Sequence, residues 1–227
     1  MRKLILFAFV ISAVVLSAST AKAQVLTEVL RRMDMNNKAL QSLKADVTMV
    51  KTNSQLGESD TYKGTTSYLP KTGGRPMYAR IDWTKPTEEQ IAVVGDSYEL
   101  YRPRLNQVIQ GKTNSAKSPG AAGGALAFMT MSKADLKANY EVVYLGEEMV
   151  SGATQTWHLQ LTPKAKQSYK LAELWVDKDG MPRQAKVTEQ NNDTTTVLLS
   201  DLKKNERIQA DMFRLAYDKK KVKIVKG

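Results

Sequence analysis

The spacing of apolar positions changes several times along this chain of 227 residues. An unbroken apolar run from Leu4 to Leu16 comes first. Over 25–45, Val25, Leu26, Val29, Leu30, Met33, Leu40 and Leu43 recur at the spacing of an amphipathic helix, which Asn36-Asn37 is expected to kink or split. From Asp46 the period is two. Runs ending at Leu56, from Thr61 to Leu69, Met77 to Trp83, Gln90 to Val94, Tyr98 to Tyr101 and Leu105 to Ile109 are separated by turn residues such as Gly57-Glu58-Ser59-Asp60, Pro70 to Gly74 and Gly95-Asp96. Short alternating runs at this spacing predict an antiparallel meander.

The meander is then interrupted. Gly111, Pro119, Gly120, Gly123 and Gly124 lie among Ser, Ala and Thr over 111–127, and Leu126, Met129 and Leu136 predict a helix from Ala125 to Ala138. An excursion of this length inside a meander is expected to serve a purpose such as a lid. Strands resume at Tyr140–Leu145, Gln155–Leu161, Tyr169–Val176, Pro182–Glu189, Thr194–Leu202 and Ile208–Phe213, with Asp177-Lys178-Asp179-Gly180 as a hairpin turn. The lysine-rich tail, in which Val222 and Ile224 alternate with lysines, reads as a last strand with a charged outer face. The count is about eleven strands, one N-terminal helix and one mid-chain helix in a single α+β domain.

Composition narrows the setting. Arg2 and Lys3 precede the apolar run and Ala21-Lys22-Ala23 follows it, which is the layout of a secretory signal peptide. The run is too short for a comfortable membrane span of roughly 20 residues. Cleavage is expected after Ala23, leaving 24–227 as one domain outside the cytoplasmic membrane. The chain has no cysteine, so it has no lipid-anchoring thiol, disulfide or thiolate nucleophile. Its formal charge of +11 falls to about +8 without the leader, since Arg2, Lys3 and Lys22 leave and no acid does. Nucleic acid is not an expected partner there; anionic head groups, an acidic protein surface, or solvent alone are the readings of the excess charge.

Catalytic signatures are missing. The single histidine, His158, sits in a strand opposite Trp157 and Leu159, and no Gly-x-Ser-x-Gly elbow accompanies it. Asp177-Lys178-Asp179-Gly180 begins like a calcium loop, but Thr188 stands where the closing Glu belongs. No catalytic residue, metal site or cofactor is expected, and an exported enzyme is the weaker reading.

Leu159-Gln160-Leu161-Thr162-Pro163-Lys164-Ala165, Leu174-Trp175-Val176-Asp177, Asp179-Gly180, Val187-Thr188-Glu189-Gln190 and Met212-Phe213, together with Arg75-Pro76, Lys85-Pro86 and Gly95-Asp96-Ser97-Tyr98, stand in an order that resembles the periplasmic outer-membrane lipoprotein carrier family, LolA. The resemblance covers most of residues 25–215. It implies an incomplete antiparallel β-barrel wrapped over an N-terminal helix and a helical lid. It also implies a monomer without cofactor that takes acylated lipoproteins from an inner-membrane ABC transporter to an outer-membrane receptor or the outer membrane itself. In the family, an arginine before a proline locks the lid by bonding lid backbone; Arg75 holds that position. The alternative on the same scaffold is a lipid- or glycolipid-binding or lipoprotein-sensing module.

A carrier must hide acyl methylenes worth roughly 0.8 kcal/mol each. The expected cavity liners are Met49, Tyr68, Ile81, Trp83, Val93, Leu100, Met129, Met131, Leu159, Trp175 and Leu198. Period-two patterning does not separate cavity from packed core, and Leu174 beside Trp175 leaves the inward face of that strand open.

Overall fold

The computed structural model describes residues 22–113 and 131–227. Helix α1 spans 22–39. The strands are β1 Leu43–Thr52, β2 Ser59–Leu69, β3 Tyr78–Lys85, β4 Glu89–Val94, β5 Ser97–Arg102, β6 Gln107–Lys112, β7 Tyr140–Val150, β8 Thr154–Pro163, β9 Tyr169–Asp177, β10 Pro182–Glu189, β11 Thr194–Lys204 and β12 Lys223–Lys226. A short helix α2, Lys133–Asn139, precedes β7, and 3-10 turns occupy Pro103–Leu105 and Ala210–Phe213.

All twelve strands form one sheet in the order β12-β6-β5-β4-β3-β2-β1-β11-β10-β9-β8-β7. It consists of two meanders, β1–β6 and β7–β11, sewn together by the antiparallel pair β1 and β11. The sheet does not close on itself: β7 and β12 are its edges. Every pairing is antiparallel except that of β12, which joins β6 in parallel. This is the expected open, barrel-like α+β architecture.

Alternation along each strand builds the core on one face. Val47 and Met49, Ile81 and Trp83, Leu159 and Leu161, Leu174 and Val176, Ala185 and Val187, and Val197 and Leu199 are buried together with Val29, Leu30 and Met33 of α1. Helix α1 anchors over the second meander. Arg32 donates to the carbonyl of Lys178 and lies 5.1 Å from the Trp157 ring centre. Gly180, at φ +81°, sits so close to the helix that a Cβ would stand 2.3 Å from the Arg32 carbonyl. Only glycine meets both demands of that turn.

Three expectations change. Helix α1 runs unbroken through Asn36-Asn37 to residue 39, because both side chains find partners off the helix: Asn36 accepts from Lys204 and Asn37 donates to the Met131 carbonyl. β1 starts at Leu43, inside the stretch expected to be helical. Ile208–Phe213 is not a strand; it ends in a 3-10 turn that buries Phe213. The tail does form a strand, on β6.

Candidate functional site

The inner face of β1–β5 gathers large apolar side chains that α1 does not claim as fully as those of the second meander. Register places Met49 opposite Tyr62, and Tyr68 opposite Ala79. Ile81 lies opposite Ile91, Val93 between Ala79 and Tyr98, and Leu100 opposite Ile91. Trp83 stands opposite Gly64 on β2, which has no side chain to set against its ring. Tyr62 meets Trp83 edge-on at 5.9 Å between ring centres, and the Lys51 ammonium lies 5.3 Å from the Tyr62 ring. Met49, Ile81, Trp83 and Leu100 are buried, whereas Tyr62, Tyr68, Ile91 and Val93 keep part of their surface accessible. At the rim, Arg102 pairs with Glu89 at 3.0 Å. The face is therefore apolar and aromatic with charge at its border, which suits an apolar ligand with a polar end.

Of the expected liners, Met49, Tyr68, Ile81, Trp83, Val93 and Leu100 share this face. Met131 is half-buried and packs against the core. Leu159 is on the same face but fully buried in the core of the second meander. Met129 lies outside the described residues, as do most of the glycine-rich stretch and the first part of the predicted lid helix.

Trp175 and Leu198 require correction, because both point to the outer face. On β9 the buried inward positions are Ala172, Leu174 and Val176; on β11 they are Val197 and Leu199. Trp175 instead stacks on His158 with ring centres 4.2 Å apart and donates its indole N–H to Glu148 at 2.8 Å. His158 stands between two carboxylates, Nδ1 3.0 Å from Glu148 and Nε2 3.1 Å from Glu173. Both ring nitrogens are engaged, so neither is free to activate a hydroxyl nucleophile. The hydrogen bond from His158, with a second from Lys186, lowers the Glu173 pKa against the opposing effect of burial. Sequence spacing gave no hint of this cluster, because its members come from adjacent strands.

Arg75 sits in the loop between β2 and β3, where Thr72 and Arg75 form an isolated bridge. Its Nη2 donates to the Pro70 carbonyl at 3.3 Å, while its Nε is buried without a hydrogen-bond partner among the described residues. A contact with lid backbone in 114–130 would fall outside the described residues. A different arginine reaches far along the chain. Arg80, paired with Asp82 on the outer face, donates to the carbonyls of Met212 and Arg214. With Phe213 against Tyr78 and Tyr217 against Tyr101, it holds the segment after β11 across the outside of β3–β5.

Among the described residues no cluster of His, Asp and Glu could hold a metal, and no helix is long and apolar enough to cross a membrane. The fold is shared with solved structures of low identity. An uncharacterized conserved protein from Thermus thermophilus matches with TM-score 0.56 and 15% identity over 89% of this chain and 99% of that one. A DUF1329 family protein from Desulfovibrio piger matches with TM-score 0.51 and 18% identity over 85% and 97%. A chain of the Pseudomonas aeruginosa MucA/MucB complex matches with TM-score 0.51 and 14% identity over 83% and 60%. None of the curated proteins matches. The family model described as outer membrane lipoprotein carrier protein LolA matches residues 38–216, from the end of α1 to just beyond Phe213, and its members are carrier or binding proteins for lipoproteins or lipids: the chain belongs to the LolA family.

Proposed function

We propose that this protein is a periplasmic carrier that shelters the acyl chains of lipoproteins against the inner face of β1–β5 and passes them from an inner-membrane ABC transporter to an acceptor at the outer membrane. The observation that carries the reading is the cluster of accessible aromatic and aliphatic side chains around Trp83 on the inner face of an open sheet, in a chain of the lipoprotein-carrier family. An open sheet suits the task, since its two edges need not part for an acyl chain to enter. Binding and release without catalysis require only that cargo move to a site that holds it better.

Mass spectrometry of lipid extracted from the protein purified from its host tests the reading. Triacylated peptide supports a carrier of lipoproteins; free glycolipid or phospholipid supports a lipid-binding module on the same scaffold; no lipid at all overturns both. We assign lid locking to Arg75, whose buried Nε has no partner among the described residues, which leaves a strong donor unused in its own loop. Arg75→Leu is expected to change the rate of cargo release to an acceptor more than the extent of cargo binding. Equal transfer rates in the two proteins would sink that assignment.

A further inference from the structure

The segment that follows the family-matched stretch forms a distinct corner of the sheet. β12 lies along β6 with Lys223 opposite Gln107 and Lys226 opposite Gln110. Two backbone bonds fasten its ends, from the Lys223 N–H to the Asn106 carbonyl and from the Gly227 N–H to the Gln110 carbonyl, each 2.7 Å. This brings the tail beside the Pro103–Leu105 turn. Leu105 is 66% exposed and Ile224 49% exposed, so two aliphatic side chains stand in solvent at the same corner. Arg104 of the turn and Lys219, Lys220, Lys223 and Lys226 of the tail are exposed. Among the described residues the one ion pair of the tail is Lys221 with Asp218, at 3.7 Å.

Cations beside exposed aliphatics match a partner that offers both negative charge and an apolar layer. The cations are almost all lysines, flexible point charges, where recognition of fixed carboxylates favours the planar fork of arginine. A diffuse layer of phosphates above an apolar interior matches both features. We propose that this corner is a docking surface for an anionic membrane: Leu105 and Ile224 enter the head-group layer while the lysines meet lipid phosphates. The inference is independent of what the inner face binds.

The test is flotation of the protein, purified as its host exports it, with vesicles of phosphatidylcholine alone or mixed with phosphatidylglycerol. Partitioning onto the anionic vesicles is expected to exceed that onto neutral ones and to fall steeply with salt. Replacing Lys219, Lys220, Lys223 and Lys226 together by Ala is expected to reduce it by roughly a hundredfold or more, at about fivefold per lysine. Leu105→Ser with Ile224→Ser should lower it by about tenfold and abolish the part that survives high salt. Equal partitioning onto the two vesicle types, salt-independent partitioning of the unaltered protein, or capture on immobilised poly-glutamate but not on vesicles would each overturn the proposal. The salt series on the unaltered protein decides the question even where a variant folds poorly.

Discussion

One sheet carries two differently covered halves. In the second meander Leu159, Leu161, Ala172, Leu174, Val176, Ala185 and Val197 are completely buried, with α1 fastened to the β9–β10 turn above them. In the first meander Tyr62, Tyr68, Ile91 and Val93 face the same way and remain partly accessible. The strand chemistry is alike: alternating residues, antiparallel pairing, one apolar face. What differs is the cover. The comparison teaches that stability and ligand contact can be divided between halves of a continuous sheet, with side chains that pack to completion in one and larger, adaptable ones left open in the other.

The largest effect that would break this division is in stability. Leu174→Ala is expected to cost about 2–5 kcal/mol in urea unfolding, since it opens a cavity in a fully packed site, whereas Val93→Ala should cost about 1 kcal/mol or less. Similar losses would mean that both halves are ordinary core. The next effect is in binding. Trp83→Ala should weaken retention of a fluorescent acyl probe by about tenfold, the equivalent of roughly 1.4 kcal/mol, while Trp175→Ala on the outer face leaves it unchanged. A loss in the Trp175 variant as large as that in the Trp83 variant would place the acyl site elsewhere.

The smallest expected effect is a pH dependence confined to the outer face of the packed half. The Glu173 pKa is depressed, so its ionised form stabilises the fold above the ordinary carboxylate value of 4.5, and that contribution is lost as pH falls through the lowered value. Glu173→Gln should flatten the acid limb of stability by about 1 kcal/mol or less. An unchanged acid limb in thermal melts would show that Glu173 does not contribute to it.

The sequence pattern was informative wherever apolar and polar residues alternated strictly. β1, β3 and β8 present the faces that Met49, Ile81, Trp83 and Leu159 predict. It was silent where apolar residues run together, as in Leu174-Trp175-Val176 and Val197-Leu198-Leu199; there the pairing register decides which side chain points inward, and register is a property of the whole sheet. Ile208–Phe213 has the alternation of a strand, yet its Phe213 is buried against Tyr78 on the outer face while Met212 stays exposed, a demand visible only once β3 is folded. The parallel partner of β12 and the two carboxylates around His158 were hidden for the same reason: each depends on neighbours distant in sequence.

The seam between β1 and β11 sets an order of assembly. Its partners lie about 150 residues apart, from Leu43 with Lys204 to Thr52 with Thr194. β1 can pair early with β2, but the backbone N–H and C=O groups of its other edge have no strand to meet until the chain through Lys204 is present. A nascent first meander is therefore a sticky, half-finished object, and every copy emerging beside another offers the same open edge. The non-local pairing makes the last step of folding slow relative to the hairpins that precede it. Anything that meets this chain before it is complete finds that edge unoccupied until β11 arrives.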